Sequence, residues 1–253
     1  MTSQGTCIAV VSGKGGTGKT SFVSGVGTAL AQSGRRVLCL DCDIGLRNLD
    51  LALGLSDRAL MDFSDVAQGR CPLSAAVVEH PKVSGLYLLT APVSNRGRPV
   101  TETQMISLLQ EVRRRFDFCL LDAPAGLGTG FRLATCGADR CVVVTTPQEI
   151  SLADVRKALD FLRLVKAPVL GIVENMSGLV CPHCGGEIDL FRKGGGEALA
   201  KQDELTFLGA IPLDPATVVA ADLGRPIVAL DTDSAAKAAF LRLADSVTEA
   251  VKK

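Results

Sequence analysis

The 253 residues suit one large α/β domain, 1–253, since no linker interrupts them. Hydrophobic residues make up 47% and aromatics 4%, with no Trp, which excludes a disordered chain and a stacking platform for single-stranded nucleic acid. Basic and acidic residues balance at 27 each, so net charge gives no pull toward nucleic acid or anionic lipid.

An apolar run at 7–12 opens the chain as a strand, and a helical stretch follows at 19–32. Between them Gly13-Lys14-Gly15-Gly16-Thr17-Gly18-Lys19-Thr20 fits G-x-x-x-x-G-K-[ST], in the strand-to-helix context that gives the motif its meaning. The glycines let backbone N–H groups turn in around phosphates. Lys19 reaches the β and γ oxygens, and Thr20 offers its hydroxyl to Mg²⁺. The candidate nucleotide segment is therefore Gly13 to Thr20 together with Ser21. For Lys14 two readings stand: a solvated charge at the rim, or a lysine that crosses to a partner's phosphate.

A second strand at 36–42 leads into Asp41 and Asp43, which alternation puts on one side. A helix cap or turn is the plain alternative for Asp41. Residues 43–65 break the rhythm. A strand at 86–90 and a helix at 102–115 follow, with Arg113, Arg114 and Arg115 expected on a solvated face. The strand at 118–122 ends on Asp122, where a carboxylate can hold Mg²⁺, and 122–129 is turn-rich.

Then come a strand at 140–146, a helix at 151–164 and a strand at 169–174. A third break, about 176–196, carries Cys181-Pro182-His183-Cys184. A strand at 207–211 and a helix at 234–251 complete the series. In that helix Phe240, Leu241, Leu243, Ala244, Val247 and Val251 form the expected core stripe. Strands that are apolar without alternation, such as Cys141-Val142-Val143-Val144, belong to parallel sheets covered on both faces. The fold class is thus α/β, a doubly wound, mostly parallel sheet. All three breaks fall at carboxyl ends of strands, where such sheets bind ligands.

No apolar run approaches the ~20 residues of a membrane helix, and residues 1–6 lack a signal-peptide pattern. A cytoplasmic location is expected. Of nine cysteines, Cys7, Cys39, Cys119 and Cys141 sit in strands as small buried hydrophobes. Cys39 and Cys42 share the spacing of a ligand pair, but an offset of three on a strand points them to opposite faces.

The Gly-Lys-Gly-Gly-x-Gly-Lys-Thr loop resembles the deviant Walker A ATPases, the MinD, ParA and Mrp group, with a P-loop NTPase fold of the SIMIBI type. The resemblance implies an ATP-dependent homodimer that hydrolyses ATP. It implies that Lys14 enters the partner's site, Asp43 orients the attacking water and Asn175 reads adenine, with Pro212 to Asp214 as a second wall. The catalytic set is then Lys14, Lys19, Asp43 and Asp122.

From 7 to 165 the chain is similar to MinD, notably at Asp41-Cys42-Asp43-Ile44-Gly45-Leu46-Arg47-Asn48-Leu49 and Asp122-Ala123-Pro124-Ala125-Gly126. The last third, with Glu174-Asn175-Met176-Ser177, Cys181-Pro182-His183-Cys184 and Gly194-Gly195-Gly196-Glu197, resembles the Mrp/ApbC iron–sulfur cluster carriers. Those proteins share one 4Fe-4S cluster between the paired cysteines of two subunits. Partners are then apo iron–sulfur client proteins or, on the MinD-like alternative, division-site regulators. The amphipathic membrane tail of MinD has no counterpart, so neither a stable membrane anchor nor a specific nucleic acid is expected.

Ligand arithmetic bears on Cys181 and Cys184. A cluster or a tetrahedral Zn²⁺ wants four soft ligands, and each chain offers two. A symmetry mate would supply the others. His183, boxed between the cysteines, is expected to point away. Zn²⁺ and a redox dithiol stay open on the residues themselves; the resemblance favours the cluster.

Overall fold

Strand and helix alternate along almost the whole chain of this computed structural model, which describes residues 4–94, 99–181, 184 and 186–252, without the side chains of Val180 and Glu187. In order they are β1 (Thr6–Val11), α1 (Lys19–Gln32), β2 (Val37–Asp41), α2 (Asn48–Ala52), α3 (Phe63–Ala67), α4 (Leu73–Ala76), β3 (Val78–Glu79) and β4 (Leu86–Leu89). Next are α5 (Glu102–Arg113), β5 (Phe118–Asp122), α6 (Thr129–Thr135), β6 (Arg140–Thr145), α7 (Glu149–Leu164) and β7 (Val169–Val180). The series closes with β8 (Glu187–Ile188), α8 (Gly195–Gln202), β9 (Phe207–Leu213), α9 (Pro215–Asp222), a 3₁₀ turn (Ile227–Ala229) and α10 (Ala235–Val251).

The described strands form one sheet in the order β3-β4-β2-β5-β1-β6-β7-β8, with β9 paired to β7. Every pairing is parallel except β3 with β4 and β7 with β8. The central strands are buried on both faces, and their side chains alternate between two core layers. Ile8, Val10, Val37 and Cys39 pack with Phe22 and Leu30 of α1 and Phe240 and Leu243 of α10. Cys7, Ala9, Val11, Leu38 and Leu40 pack on the opposite side with Met105 and Leu109 of α5, Phe131 of α6 and Leu159 of α7. Cys39 and Cys42 lie in opposite layers, as their odd offset requires.

α1 is immersed: most of its length from Phe22 to Ala31 is buried. Its neighbours are α10, α2 and the sheet. α10 starts at a Ser234 cap whose hydroxyl accepts the Lys237 N–H at 3.1 Å.

Several expectations are corrected. β7 does not stop at 174 but runs to Val180, because β9 and then β8 offer it further partners. The helix expected over 102–115 ends at Arg113. Arg113 is not on a solvated face: its guanidinium grips both oxygens of Asp139 at 3.0 Å and also donates to the Gly137 carbonyl. In α10, Leu241 leaves the core stripe and is 40% exposed, while Ala236 and Ala239 take up the buried face. Short helices α2, α3 and α4 punctuate the stretch between β2 and β4, and α6, α8 and α9 are further helices that the sequence pattern does not mark.

Candidate functional site

β1 delivers the chain to the carboxyl edge of the sheet, where residues 12–18 turn back into α1. Gly18 sits at φ +91° as the N-cap of α1. A side chain there would be strained, and its Cβ would also overlap the Asn175 amide. The first turn of α1 has neither a capping side chain nor an acidic residue. Its orphan N–H groups and positive dipole end therefore stay available to an anion.

Polar contacts knit this loop. The Ser12 hydroxyl donates to the Lys14 carbonyl at 2.6 Å and accepts from Lys19 Nζ at 2.9 Å. Lys19 is buried; desolvation lowers its pKa, and Asp122 and Asp43 oppose that shift. Thr20 Oγ1 donates to Asp122 Oδ2 at 2.6 Å. Asn175 Nδ2 donates to the Thr17 carbonyl at 2.9 Å, so the middle of β7 rests on the phosphate loop. Lys14 is half-buried at the rim, and Ser21 follows in the first turn of α1.

The carboxylates gather beside Lys19. Burial pushes Asp122 up to about 7; the Thr20 hydrogen bond and Lys19 work against that, and Asp41 adds to it. Asp122 Oδ1 is buried and without a hydrogen-bond partner, next to the Thr20 hydroxyl that Oδ2 already holds. An orphaned carboxylate oxygen beside a hydroxyl is a hard, oxygen-only donor set, which fits Mg²⁺. Asp41 is raised to about 6 by burial, although it accepts the backbone N–H groups of Asp43 at 2.8 Å and Leu49 at 3.3 Å. It thus closes the turn after β2 and holds the start of α2. Asp43 is half-buried; desolvation raises its carboxyl, and Lys19 pulls it back.

Pro212 lies near the end of β9 and Asp214 caps α9. The Asp214 carboxylate accepts from Ala216 N at 2.9 Å, Ser234 Oγ at 2.6 Å and Ala236 N at 3.4 Å. Burial pushes its pKa up, but these donors outweigh it and hold the carboxyl below its usual value. Its oxygens are thus committed to two helix starts.

The cysteine pair lies on the hairpin that joins β7 to β8. Leu179 faces Ile188 and Val180 faces Glu187, and the Cys181 N–H closes the tip on the Gly186 carbonyl at 2.9 Å. Cys181 is half-buried and Cys184 exposed. Pro182, His183 and Gly185 lie outside the described residues. Among the described residues no three metal-ligating side chains gather at one point. β7 runs parallel to β6, and β6 to β1, so the hairpin extends from the same sheet edge as the phosphate loop. Ser12 and Glu174 are site neighbours to which sequence reasoning gave no role: Ser12 entered only as the end of a strand and Glu174 only as part of the Glu174-Asn175-Met176-Ser177 run.

A strand, a glycine-rich turn, a helix with an open start, a buried lysine and a threonine–aspartate pair define a P-loop NTPase. A sequence-family model described as ParA, the NUBPL iron-transfer P-loop NTPases, matches residues 4–248, and the chain belongs to this family. It is 37% identical over 257 residues to the iron-sulfur cluster carrier protein of Pyrococcus horikoshii, covering 97% of this chain and 86% of that protein. It is 33% identical over 244 residues to the septum site-determining protein MinD of Bacillus subtilis, covering 95% and 88%. Among solved structures, the MinC:MinD cell division complex of Aquifex aeolicus superposes with a TM-score of 0.83 at 30% identity, covering 96% of both chains. Relatives of both kinds thus align along more than nine tenths of this chain, and the family is one of nucleotide hydrolysis.

Proposed function

We propose that this chain, as an ATP-dependent homodimer in the cytoplasm, binds an iron–sulfur cluster and passes it to apo client proteins. The observation that carries the reading is the Cys181–Cys184 pair, held on a closed hairpin tip at the nucleotide edge of the sheet with Cys184 exposed. A cargo that must be handed on needs accessible ligands, and Cys184 is accessible. Each chain brings two thiolates, so two chains make the four that a cluster takes.

The phosphates of ATP sit over the open start of α1, with the N–H groups of 13–20 around them. Lys19 leaves Ser12 for the β and γ oxygens, and Lys14 reaches the partner's nucleotide. Thr20 and Asp122 Oδ1 hold Mg²⁺, which when bound neutralises charge on the transferring phosphate. Asp43 orients the attacking water. Asn175 reads the adenine, and Pro212 with the backbone at Asp214 forms the other side of the base pocket.

The test is anaerobic reconstitution with iron and sulfide. About one four-iron cluster per two chains is expected, since a cluster takes four thiolates. A Cys181→Ala, Cys184→Ala double variant should lose the cluster and keep nucleotide binding. Zn²⁺ at the same ratio, without visible absorption, would make the site a structural clamp. Metal content unchanged in the double variant would remove the cysteine site and leave a MinD-like positioning switch as the better account.

A further inference from the structure

The polar contacts that begin at the phosphate loop do not end at Asn175. Glu174, one residue earlier, is fully buried where β7 parts from β6, with Thr145 as its register mate. Its carboxylate takes three hydrogen bonds. Oε1 accepts from the Ser177 hydroxyl at 2.6 Å and the Gly194 N–H at 2.9 Å, and Oε2 accepts from the Gly196 N–H at 2.6 Å. Ser177 stands on the outgoing limb of the excursion that carries the cysteines. Gly194 and Gly196 stand on the returning limb, at the start of α8. One carboxylate therefore fastens both limbs at their base.

A carboxylate at a helix start is an ordinary cap. This one differs in its reach and its neighbour. It spans an excursion of the chain whose backbone is bent by Met176 at φ +58° and Gly178 at φ +73°, where the register with β9 slips between Asn175 and Leu179. Its neighbour Asn175 holds the Thr17 carbonyl of the phosphate loop. Alternation turns successive strand residues to opposite faces, so a shift of this short stretch acts at once on the loop and on the excursion.

We propose that Glu174 is a positioning residue that couples nucleotide occupancy of the phosphate loop to the exposure of Cys181 and Cys184. The proposal rests on the reading above only in taking these cysteines as the cargo site. Phosphates that reorder the loop move the Thr17 carbonyl, Asn175 follows it, and Glu174 carries the displacement to both limbs. Coupling is reciprocal: whatever fixes the hairpin changes nucleotide affinity by the same factor.

The experiment uses the metal-free full chain and a fluorescent maleimide. Labelling rates at Cys181 and Cys184 are read by peptide mass spectrometry, with and without a non-hydrolysable Mg–ATP analogue; the half-buried Cys71 and Cys136 serve as internal controls. In the wild type the analogue should change the rate about five-fold or more, the lower end of ordinary coupling. Glu174→Gln turns an amide NH₂ toward one of the three donors. It should still bind the analogue, but its ratio of rates should fall toward one. A wild-type ratio in Glu174→Gln overturns the proposal. So does a wild type with no nucleotide dependence, or a variant that labels faster by the same factor in both states, as mere loosening would give. If Glu174→Gln does not fold, Ser177→Ala removes a single hydroxyl bond and should lower the ratio part of the way; an unchanged ratio there overturns the coupling. Failure of cluster reconstitution with the thiol response intact would remove the carrier reading and leave the coupling standing.

Discussion

Lys19 and Lys14 lie five positions apart, and the fold gives them different surroundings. Lys19 is buried against Ser12 beside Asp122 and Asp43, whereas Lys14 stands at the rim. Lys19→Ala should abolish nucleotide binding. Lys14→Ala should bind ATP and lose dimerisation and turnover, measured by nucleotide titration and light scattering; wild-type turnover in Lys14→Ala would end its assignment to the partner's site. Asp122 makes a prediction about pH. Its folded carboxyl is raised to about 7 from 3.8, chiefly by burial, so between those values the folded state holds a proton that the unfolded state has lost. Stability of the ligand-free protein therefore falls as pH rises from about 4 to about 7, and Asp41, raised to about 6, adds to the lower part of that window. Asp122→Asn keeps an oxygen for Thr20 and removes the buried charge. One pKa unit is about 1.4 kcal/mol, so the variant's Tm at pH 8 should rise by about 3 °C or more, with a flatter pH profile, while Mg²⁺-dependent turnover is lost. A lower Tm for the variant at pH 8 would contradict the electrostatic account.

At the scale of elements, α10 does the work of a core wall. Phe240 lies against α1 at Gly25, where an added Cβ would come within 2.6 Å of the ring. Phe240→Ala should cost about 3–5 kcal/mol, the usual range for a buried Phe. That corresponds to a Tm lower by roughly 10 °C, read by calorimetry. The same packing bears on membranes. Ala236, Ala239, Phe240, Leu243, Ala244 and Val247 are buried within the domain, and among the described residues no helix is long and apolar enough to cross a bilayer. With its apolar face already used, α10 has little to offer a lipid surface. The protein should stay in the supernatant with anionic vesicles and ATP; ATP-dependent co-sedimentation would favour the MinD-like reading. The strands β1, β2, β4, β5 and β6, which sequence reasoning found, are nearly continuous apolar runs, whereas the two-residue β3 gives no such signal. The far half of β7 escaped because Asn175, Ser177 and Gly178 dilute its pattern and only its partners β8 and β9 hold it extended. The helices it missed are short, α2 and α3 having five residues each, too few for a 3.6-residue period to register.

For the molecule as a whole, the phosphate loop was legible because its chemistry is local, whereas the tasks of Asp214 and Glu174 depend on residues about twenty positions away. Arg113 misled for the same reason, since Asp139 reaches it only through the sheet. The immersion of α1 has a consequence for motion. A helix enclosed by α10, α2 and the sheet can exchange its amide hydrogens only when the domain opens globally, whereas exposed segments with few buried contacts exchange through local fluctuation. The amides of α1 from Phe22 to Ala31 should then be among the last to take up deuterium, and those around Leu60 and Met61 among the first. Nucleotide binds only the folded domain, so it should slow exchange in α1 by the full factor of its stabilisation, while the segment around Leu60 and Met61, which opens locally, should keep its rate: the response to ATP is read deepest in the helix beneath the bound phosphates.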